Sequence, residues 1–199
     1  MNYLEDSQQI RIRRRDKLAF FRGFLQRPEQ VGSVIPSSRF LERRIVDVAE
    51  VAAARLVVEL GPGTGGTTQA ILTALSKDAR LLAIEINPDF AARLEASPDP
   101  RLIVYRGSAE YIQKALTRNG LAQPDVVISG IPFSTMPPMI GRRILHVVWS
   151  ALAPGGRFVA YQFRGHVATL DRRLLGKPET ELELLNVPPM RIFRWRKQG

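Results

Sequence analysis

Val57-Val58-Glu59-Leu60-Gly61-Pro62-Gly63-Thr64-Gly65-Gly66 is the stretch from which the fold is read. An apolar run ends in one acid and then breaks into glycines, which is how a buried parallel strand reads where it hands the chain to a helix at the mouth of a sheet. Glycine lets the backbone turn sharply there and pass close to a ligand. Gly61, Gly63 and Gly66 satisfy the spacing G-x-G-x-x-G, whereas Glu59, Gly61, Gly63 and Gly65 give E-x-G-x-G-x-G.

Outward from that loop, strand-like and helix-like runs alternate. Residues 55–60 read as a strand followed by a helix from about Thr67, and residues 81–85 as a second strand, with Pro88 opening its helix at a position that tolerates proline. Residues 102–105 form a third strand, followed by a helix over 109–116. A fourth covers 125–129, with a helix after Pro137-Pro138 through Leu152, and 157–161 form the fifth. Upstream, Ser37 or Ser38 caps a helix through Ala49 that carries Phe40, Leu41, Ile45 and Val48 on one side. Downstream, a short helix lies between Ala168 and Leu175, and two strands, 181–185 and 190–195, are joined by Val187-Pro188-Pro189. Such alternation predicts a doubly wound, Rossmann-like α/β sheet with one antiparallel strand at an edge. In the last strand, Ile192, Phe193 and Trp195 are expected inward, and Arg191, Arg194 and Arg196 outward.

At 199 residues the chain has the size of one domain, with 45% hydrophobic and 24% charged residues, as in an ordinary folded protein. Its 29 Lys and Arg against 19 Asp and Glu leave a net charge of +10, which points to an anionic partner, either nucleic acid or a membrane surface. Cysteine is absent and histidine occurs twice, which removes disulfides, thiolate metal sites and cysteine nucleophiles, and no metal is expected. No run approaches the about 20 apolar residues of a membrane span, and no signal-peptide run follows Met1, so the protein is expected in the cytoplasm or on the cytosolic face of a membrane.

Residues 11–27 hold seven bases and one acid. On a helical wheel Leu18, Phe21, Phe24 and Leu25 share an arc, with Arg11, Arg15 and Arg22 on its flank. An interfacial helix has this form, as does a terminal helix packed on the domain with a solvated basic face. Two units follow: a basic amphipathic arm and cofactor-covering segment over residues 1–36, and a catalytic domain over 37–199.

The E-x-G-x-G-x-G form resembles the first motif of class I S-adenosylmethionine-dependent methyltransferases, in which acid and loop hold the methionine end of the cofactor. An NAD site shares the glycines. Glu85, 24 residues after Gly61, stands where a carboxylate reaches a ribose diol in either case. Methyltransferases usually place an Asp for the adenine amine after the third strand, and here Ser108 holds that place. By the same likeness Gly61, Gly63, Gly65 and Ser129 belong to the cofactor side. After the fourth strand, adenine N6-methyltransferases, including the rRNA dimethyltransferases, carry N-L-P-Y or similar. This chain has Gly130-Ile131-Pro132-Phe133, without the Asn that accepts from the amine. Those enzymes also use a C-terminal helical module to grip RNA, whereas the sequence is expected to end with the sheet, so nucleic acid is disfavoured.

With Phe24-Leu25-Gln26-Arg27-Pro28, Val31-Gly32-Ser33-Val34-Ile35-Pro36-Ser37-Ser38-Arg39 and Met136-Pro137-Pro138 included, the chain from about residue 20 onward resembles the short bacterial branch of phospholipid N-methyltransferases. That likeness implies methyl transfer from S-adenosylmethionine, yielding S-adenosylhomocysteine, to phosphatidylethanolamine, in some members through to phosphatidylcholine. It implies a peripheral place on the inner face of the cytoplasmic membrane, with an anionic membrane surface as partner. It also lays Ser37 and Ser38 over the methionine part of the cofactor, where the competing reading of both is a plain helix cap. A lipid amine has an intrinsic pKa of roughly 10 and must shed a proton before it attacks, which an apolar mouth favours by desolvation. Tyr161 is the first polar candidate to assist and His166 the second. The rings of Phe133 and Tyr161 are candidates to face a methylated cation, with core packing as the alternative. Arg22 and Arg39 are candidates for the lipid phosphate, with Phe21 and Phe24 entering the membrane. The alternatives to a phospholipid enzyme are an rRNA adenine N6-dimethyltransferase and a small-amine methyltransferase. Oligomeric state is not legible.

Overall fold

The computed structural model describes residues 37–199. The expected arm, with Phe21, Arg22 and Phe24, lies outside the described residues.

Helix α1 (Arg39–Val48) starts at Ser38, whose side chain accepts a hydrogen bond from the Leu41 backbone N–H, and buries Leu41, Ile45, Val46 and Val48. Phe40, expected on that face, points outward instead and lies beneath the Arg39 guanidinium, 5.5 Å from the ring centre. The sheet then builds through β1 (Leu56–Leu60), α2 (Gly66–Ala74), β2 (Arg80–Glu85), α3 (Pro88–Glu95) and β3 (Leu102–Arg106). A 3-10 turn (Ala109–Tyr111) replaces the start of the helix expected over 109–116 and leads into α4 (Ile112–Arg118). Next come β4 (Val126–Ser129), α5 (Pro138–Ala151) and β5 (Arg157–Gln162). The single helix expected after β5 is two short ones, α6 (Val167–Leu170) and α7 (Arg172–Leu175), because Asp171 leaves helical geometry to cap the second. Strands β6 (Glu179–Glu183) and β7 (Met190–Arg196) close the fold.

The seven strands run in the order β3-β2-β1-β4-β5-β7-β6. β1 to β5 are parallel, and β7 is antiparallel to both β5 and β6. The expected antiparallel strand therefore lies one place in from the edge, which β6 forms. Both sheet faces are covered, so β1 is buried along its whole length. Leu56, Val58 and Leu60 pack with Ile112, Ile144 and Val148 on one side, while Val57 packs with Leu41, Ile45 and Ile71 on the other. Alternation thus sends Glu59 to the side of α1 and α2.

In β7 the arginines are not all outward. Ile192 packs toward α1, whereas Phe193 and Trp195 join the opposite core. Arg194 reaches the Glu50 carboxylate (3.1 Å) and also pairs with Glu179. Buried Arg157 meets Glu50 as well (2.8 Å) and donates to the Ala49 carbonyl. Three strands are tied to the end of α1 in this way.

The parallel strands all end at one edge of the sheet, and Gln162↔Arg191 and Glu183↔Met190 bring the β6–β7 turn to that same edge. A cavity at a strand-order reversal is the expected result, between β1 and β4.

Candidate active site

A cavity of about 650 Å³ opens at this edge, bounded by the loops after β1, β2, β3, β4 and β5 and by the β6–β7 turn. That size suits a cofactor together with a small acceptor.

The loop after β1 takes its shape from glycines with positive φ, Gly61 at +67° and Gly63 at +57°. A side chain on Gly61 would crowd Ile131 (3.2 Å), whereas among the described residues nothing lies within 4 Å of the place where a Cβ on Gly63 would stand. Gly63 therefore keeps free space above the backbone on the cavity side. Glu85 holds the loop: its carboxylate accepts from the Gly63 N–H (3.0 Å) and the Asn87 N–H (2.8 Å). Burial pushes this carboxyl above its ordinary range, against the pull of those backbone donors.

Glu59 is fully buried under α2 and accepts from the Thr68 hydroxyl (2.6 Å) through one oxygen, while its second oxygen has no partner among the described residues. Desolvation pushes its pKa up to about 8, with Glu85 and Glu42 adding like-charge repulsion. Glu42, one turn into α1, lines the cavity against Gly66, where its carboxylate fills the space that a side chain would need. Burial raises its pKa too. A chain of net charge +10 thus gathers three acids around one glycine loop. Such an arrangement is costly without a cation, and S-adenosylmethionine brings two, a sulfonium and an ammonium. The open space over Gly63 and the Glu42 and Glu85 carboxylates in the cavity lining fit that cofactor, while Glu59 is buried behind the loop and does not itself line the cavity. Ser108 also lines the cavity and caps the 3-10 turn by accepting from the Glu110 N–H (3.2 Å).

The acceptor end is made differently. Gly130 stands where adenine enzymes carry Asn, and a Cβ there would collide with the Tyr161 hydroxyl and lie 3.1 Å from the Gly61 carbonyl. Tyr161 itself contacts the Thr67 hydroxyl (3.3 Å). Burial, and then the Glu59 charge, raise its pKa above the ordinary phenol value. Gln162 donates from its amide nitrogen to the Ile131 carbonyl (2.5 Å), which fixes the orientation of the amide, and its oxygen is buried without a partner among the described residues. Ile131, Pro132 and Phe163 supply apolar wall.

Of the residues singled out from sequence, Ser37, Gly61, Gly63, Glu85, Ser108 and Tyr161 line the cavity together. Ser38 caps α1 instead, and its N–H donates to Asn186 (2.8 Å). Gly65 caps α2. Ser129 is buried at the end of β4, accepting from the Ile131 N–H. Arg39 is exposed beside Phe40, outside the lining, and His166 is exposed on its loop. Phe133 is corrected outright. The turn that follows β4, with the Phe133 N–H donating to the Ile131 carbonyl (2.9 Å), rolls its ring into the core against α5, where it is fully buried. Glu42, Thr67, Gln162 and Asn186 line the cavity without having been singled out. For Gln162 a signal existed, since it follows Tyr161 at the end of β5, beside the loop that follows β4.

Compared with known proteins, residues 27–136 match the family model described as ribosomal RNA adenine dimethylase. An ornithine lipid N-methyltransferase of Singulisphaera acidiphila is 34% identical over 146 residues, covering 72% of this chain and 76% of that protein. Ribosomal RNA small subunit methyltransferase A of Rhodococcus erythropolis is 31% identical over 105 residues, 49% of this chain and 33% of that protein. This chain therefore matches about a third of the rRNA enzyme's length. Among solved structures, the 1,6-didemethyltoxoflavin-N1-methyltransferase of Burkholderia thailandensis, with bound S-adenosylhomocysteine, superposes with a TM-score of 0.67 at 16% identity, over 94% of this chain and 91% of that one. A likeness at that identity speaks for the fold.

Proposed function

We propose, for a chain that belongs to the ribosomal RNA adenine dimethylase family and is a class I S-adenosylmethionine-dependent methyltransferase related to lipid head-group N-methyltransferases, that the methyl acceptor is a small aliphatic amine carried on a lipid head group. Phosphatidylethanolamine is the first such acceptor to test, with an ornithine lipid beside it.

The observation that carries this reading is the acceptor end of the cavity. The Tyr161 hydroxyl occupies the space that an Asn side chain at position 130 would need, and the lining beside it joins apolar Ile131, Pro132 and Phe163 to Ser134, Thr135 and Gln162, whose amide oxygen is unpaired among the described residues. A planar base would find no side-chain amide at Gly130. An ammonium has N–H groups for the Gln162 oxygen, and burial beside Ile131 and Phe163 favours its uncharged form. When bound, S-adenosylmethionine supplies an electrophilic methyl group on a sulfonium sulfur.

The chain's own residues then have separate tasks. Glu59, Glu42 and Glu85 hold the cationic end and the diol of the cofactor, with Ser37 and Ser108 at its margins. Gln162 orients the amine so that its lone pair points along the line of displacement, and Tyr161 closes the wall beside it. The amine sheds its proton as it leaves water for the apolar mouth. The residue 1–36 segment, with Phe21, Phe24 and Arg22, brings the mouth to an anionic leaflet, where each basic residue adds about 1 kcal/mol. Among the described residues no helix is long and apolar enough to cross a membrane, which fits peripheral attachment.

Mass spectrometry of lipid recovered from vesicles after incubation with enzyme and cofactor tests the reading. It requires methylated head groups; unmodified lipid alongside a methylated free amine would keep the small-amine enzyme and reject the lipid.

A further inference from the structure

The β6–β7 turn is unlike the rest of the surface. Leu184 is 66% exposed, Leu185 64% and Val187 79%, with Leu182 just before them and Phe163 across β7 also exposed. Among the described residues the other exposed large apolar side chains, Phe40, Ile86, Tyr111 and Met139, belong to four separate stretches of the chain, whereas these five gather at one corner.

This exposure does not come from a loose turn. Asn186 is buried between the exposed residues, donates to the Pro188 carbonyl (2.8 Å) and accepts from the Ser38 N–H (2.8 Å), which ties the turn to the start of α1. The Leu185 N–H is satisfied by Glu183 (2.8 Å). With those polar groups engaged internally, the turn presents hydrocarbon outward and Asn186, Pro188 and Met190 inward, where they form one wall of the cavity. One element is thus cavity wall inside and apolar surface outside.

Charge follows the same division. Exposed Arg191, opposite Leu182 in the β6–β7 register, donates to the Phe163 carbonyl (3.0 Å), and Arg164 lies at the cavity rim. Acids of the hairpin are turned away: Glu181 and Glu183 face Arg44 of α1 on the other side of the sheet (3.4 and 3.7 Å). Hydrocarbon at the tip with guanidinium groups behind it matches a lipid leaflet, whose acyl chains lie below its phosphates.

We infer that the β6–β7 turn is a second membrane-docking surface, in which Leu184, Leu185, Val187 and Phe163 enter an anionic leaflet, Arg164 and Arg191 meet its phosphates, and the cavity mouth is held against the head groups. The inference deepens the lipid-amine reading and rests on it for the identity of the surface. It separates two modes of attachment: a basic arm whose hold weakens steeply with salt, and a turn whose apolar part persists at high salt while the share of Arg164 and Arg191 is screened.

The test uses the full chain and vesicles of phosphatidylethanolamine and phosphatidylglycerol, sedimented at low and high salt. Leu184→Asp together with Leu185→Asp is expected to lower partitioning by about tenfold or more at high salt. Thermal stability, cofactor affinity and methyl transfer to a short-chain, monomeric aminolipid should stay unchanged. Unaltered partitioning at high salt overturns the inference. So does a variant that only converts a dimer to a monomer, which would make the patch a contact between copies. Should the double variant fail to fold, Leu185→Trp is the substitute. Its added fluorescence should shift to the blue on vesicles and be quenched by spin-labelled acyl chains, and absence of quenching overturns the inference. Partitioning that falls as expected while the unmodified enzyme methylates no lipid leaves the docking surface standing and removes the substrate reading.

Discussion

The two ends of the cavity are built by different rules. At the cofactor end, Glu59, Gly61 and Gly63 lie within five residues, and Glu85 closes on them from the neighbouring strand. The acceptor end joins Gly130 from the loop after β4, Tyr161 and Gln162 from β5, and the turn before β7, residues whose proximity depends on strand order. The first end is acidic; the second joins apolar Ile131, Pro132 and Phe163 to Ser134, Thr135 and a Gln162 amide oxygen that is unpaired among the described residues. On the proposed reading, cofactor chemistry is carried by a local motif and acceptor chemistry by assembly, so the first can persist across a family while the second changes.

That division is open to attack by substitution, and the largest effect belongs to the cofactor end. Glu59→Ala is expected to weaken S-adenosylmethionine binding by about a hundredfold, since a buried charge loses its partner. Gly61→Ala should do at least as much harm, because a side chain there meets both a positive φ and Ile131. Calorimetric titration checks both, and vesicle binding should survive either change; its loss would mean that the two ends are not separable. Next in size, Gln162→Ala should lower methyl transfer at saturating cofactor by about tenfold with little change in cofactor affinity. A drop in affinity of similar size would place Gln162 at the wrong end.

A third consequence is a dependence on pH. Glu59 is protonated more readily in the folded chain, near pH 8, than in the unfolded one, near 4.5. Its contribution is fully present below about pH 4.5 and is lost as pH rises toward 8, at up to roughly 1.4 kcal/mol per unit. The ligand-free protein should therefore lose thermal stability over that window, and Glu59→Gln should flatten the curve. Saturating cofactor should flatten it as well, because a bound cation favours the carboxylate. Smallest of all, Ser38→Ala should cost about 1 kcal/mol of stability through the lost helix cap, measured by denaturant unfolding, and leave cofactor affinity nearly unchanged if Ser38 is a cap alone.

Legibility in the sequence follows the same line. Glu59, Gly61, Gly63 and Glu85 could be read because a strand, a glycine turn and an acid at the next strand end are close in sequence and each has a physical reason. The doubly wound parallel sheet was legible through its alternation, though not that β7 would insert beside β5 and leave β6 at the edge. Glu42 was hidden because an acid near a helix start reads as an ordinary partner of the helix dipole, while its burial against Gly66 is a tertiary fact. Phe133 was misread because an aromatic after Ile131-Pro132 suggests stacking, whereas the local turn rolls it into the core. Gln162 needed the knowledge that its nitrogen is spent on Ile131 and its oxygen on nothing among the described residues.

The account turns on what receives the methyl group, and a competition in one vessel asks this most directly. Enzyme and radiolabelled S-adenosylmethionine are given phosphatidylethanolamine vesicles, ornithine lipid vesicles and ribosomal RNA together, and the label is followed into each fraction. Label in a lipid amine, with RNA left blank, is the predicted result; label in RNA with none in either lipid would contradict it.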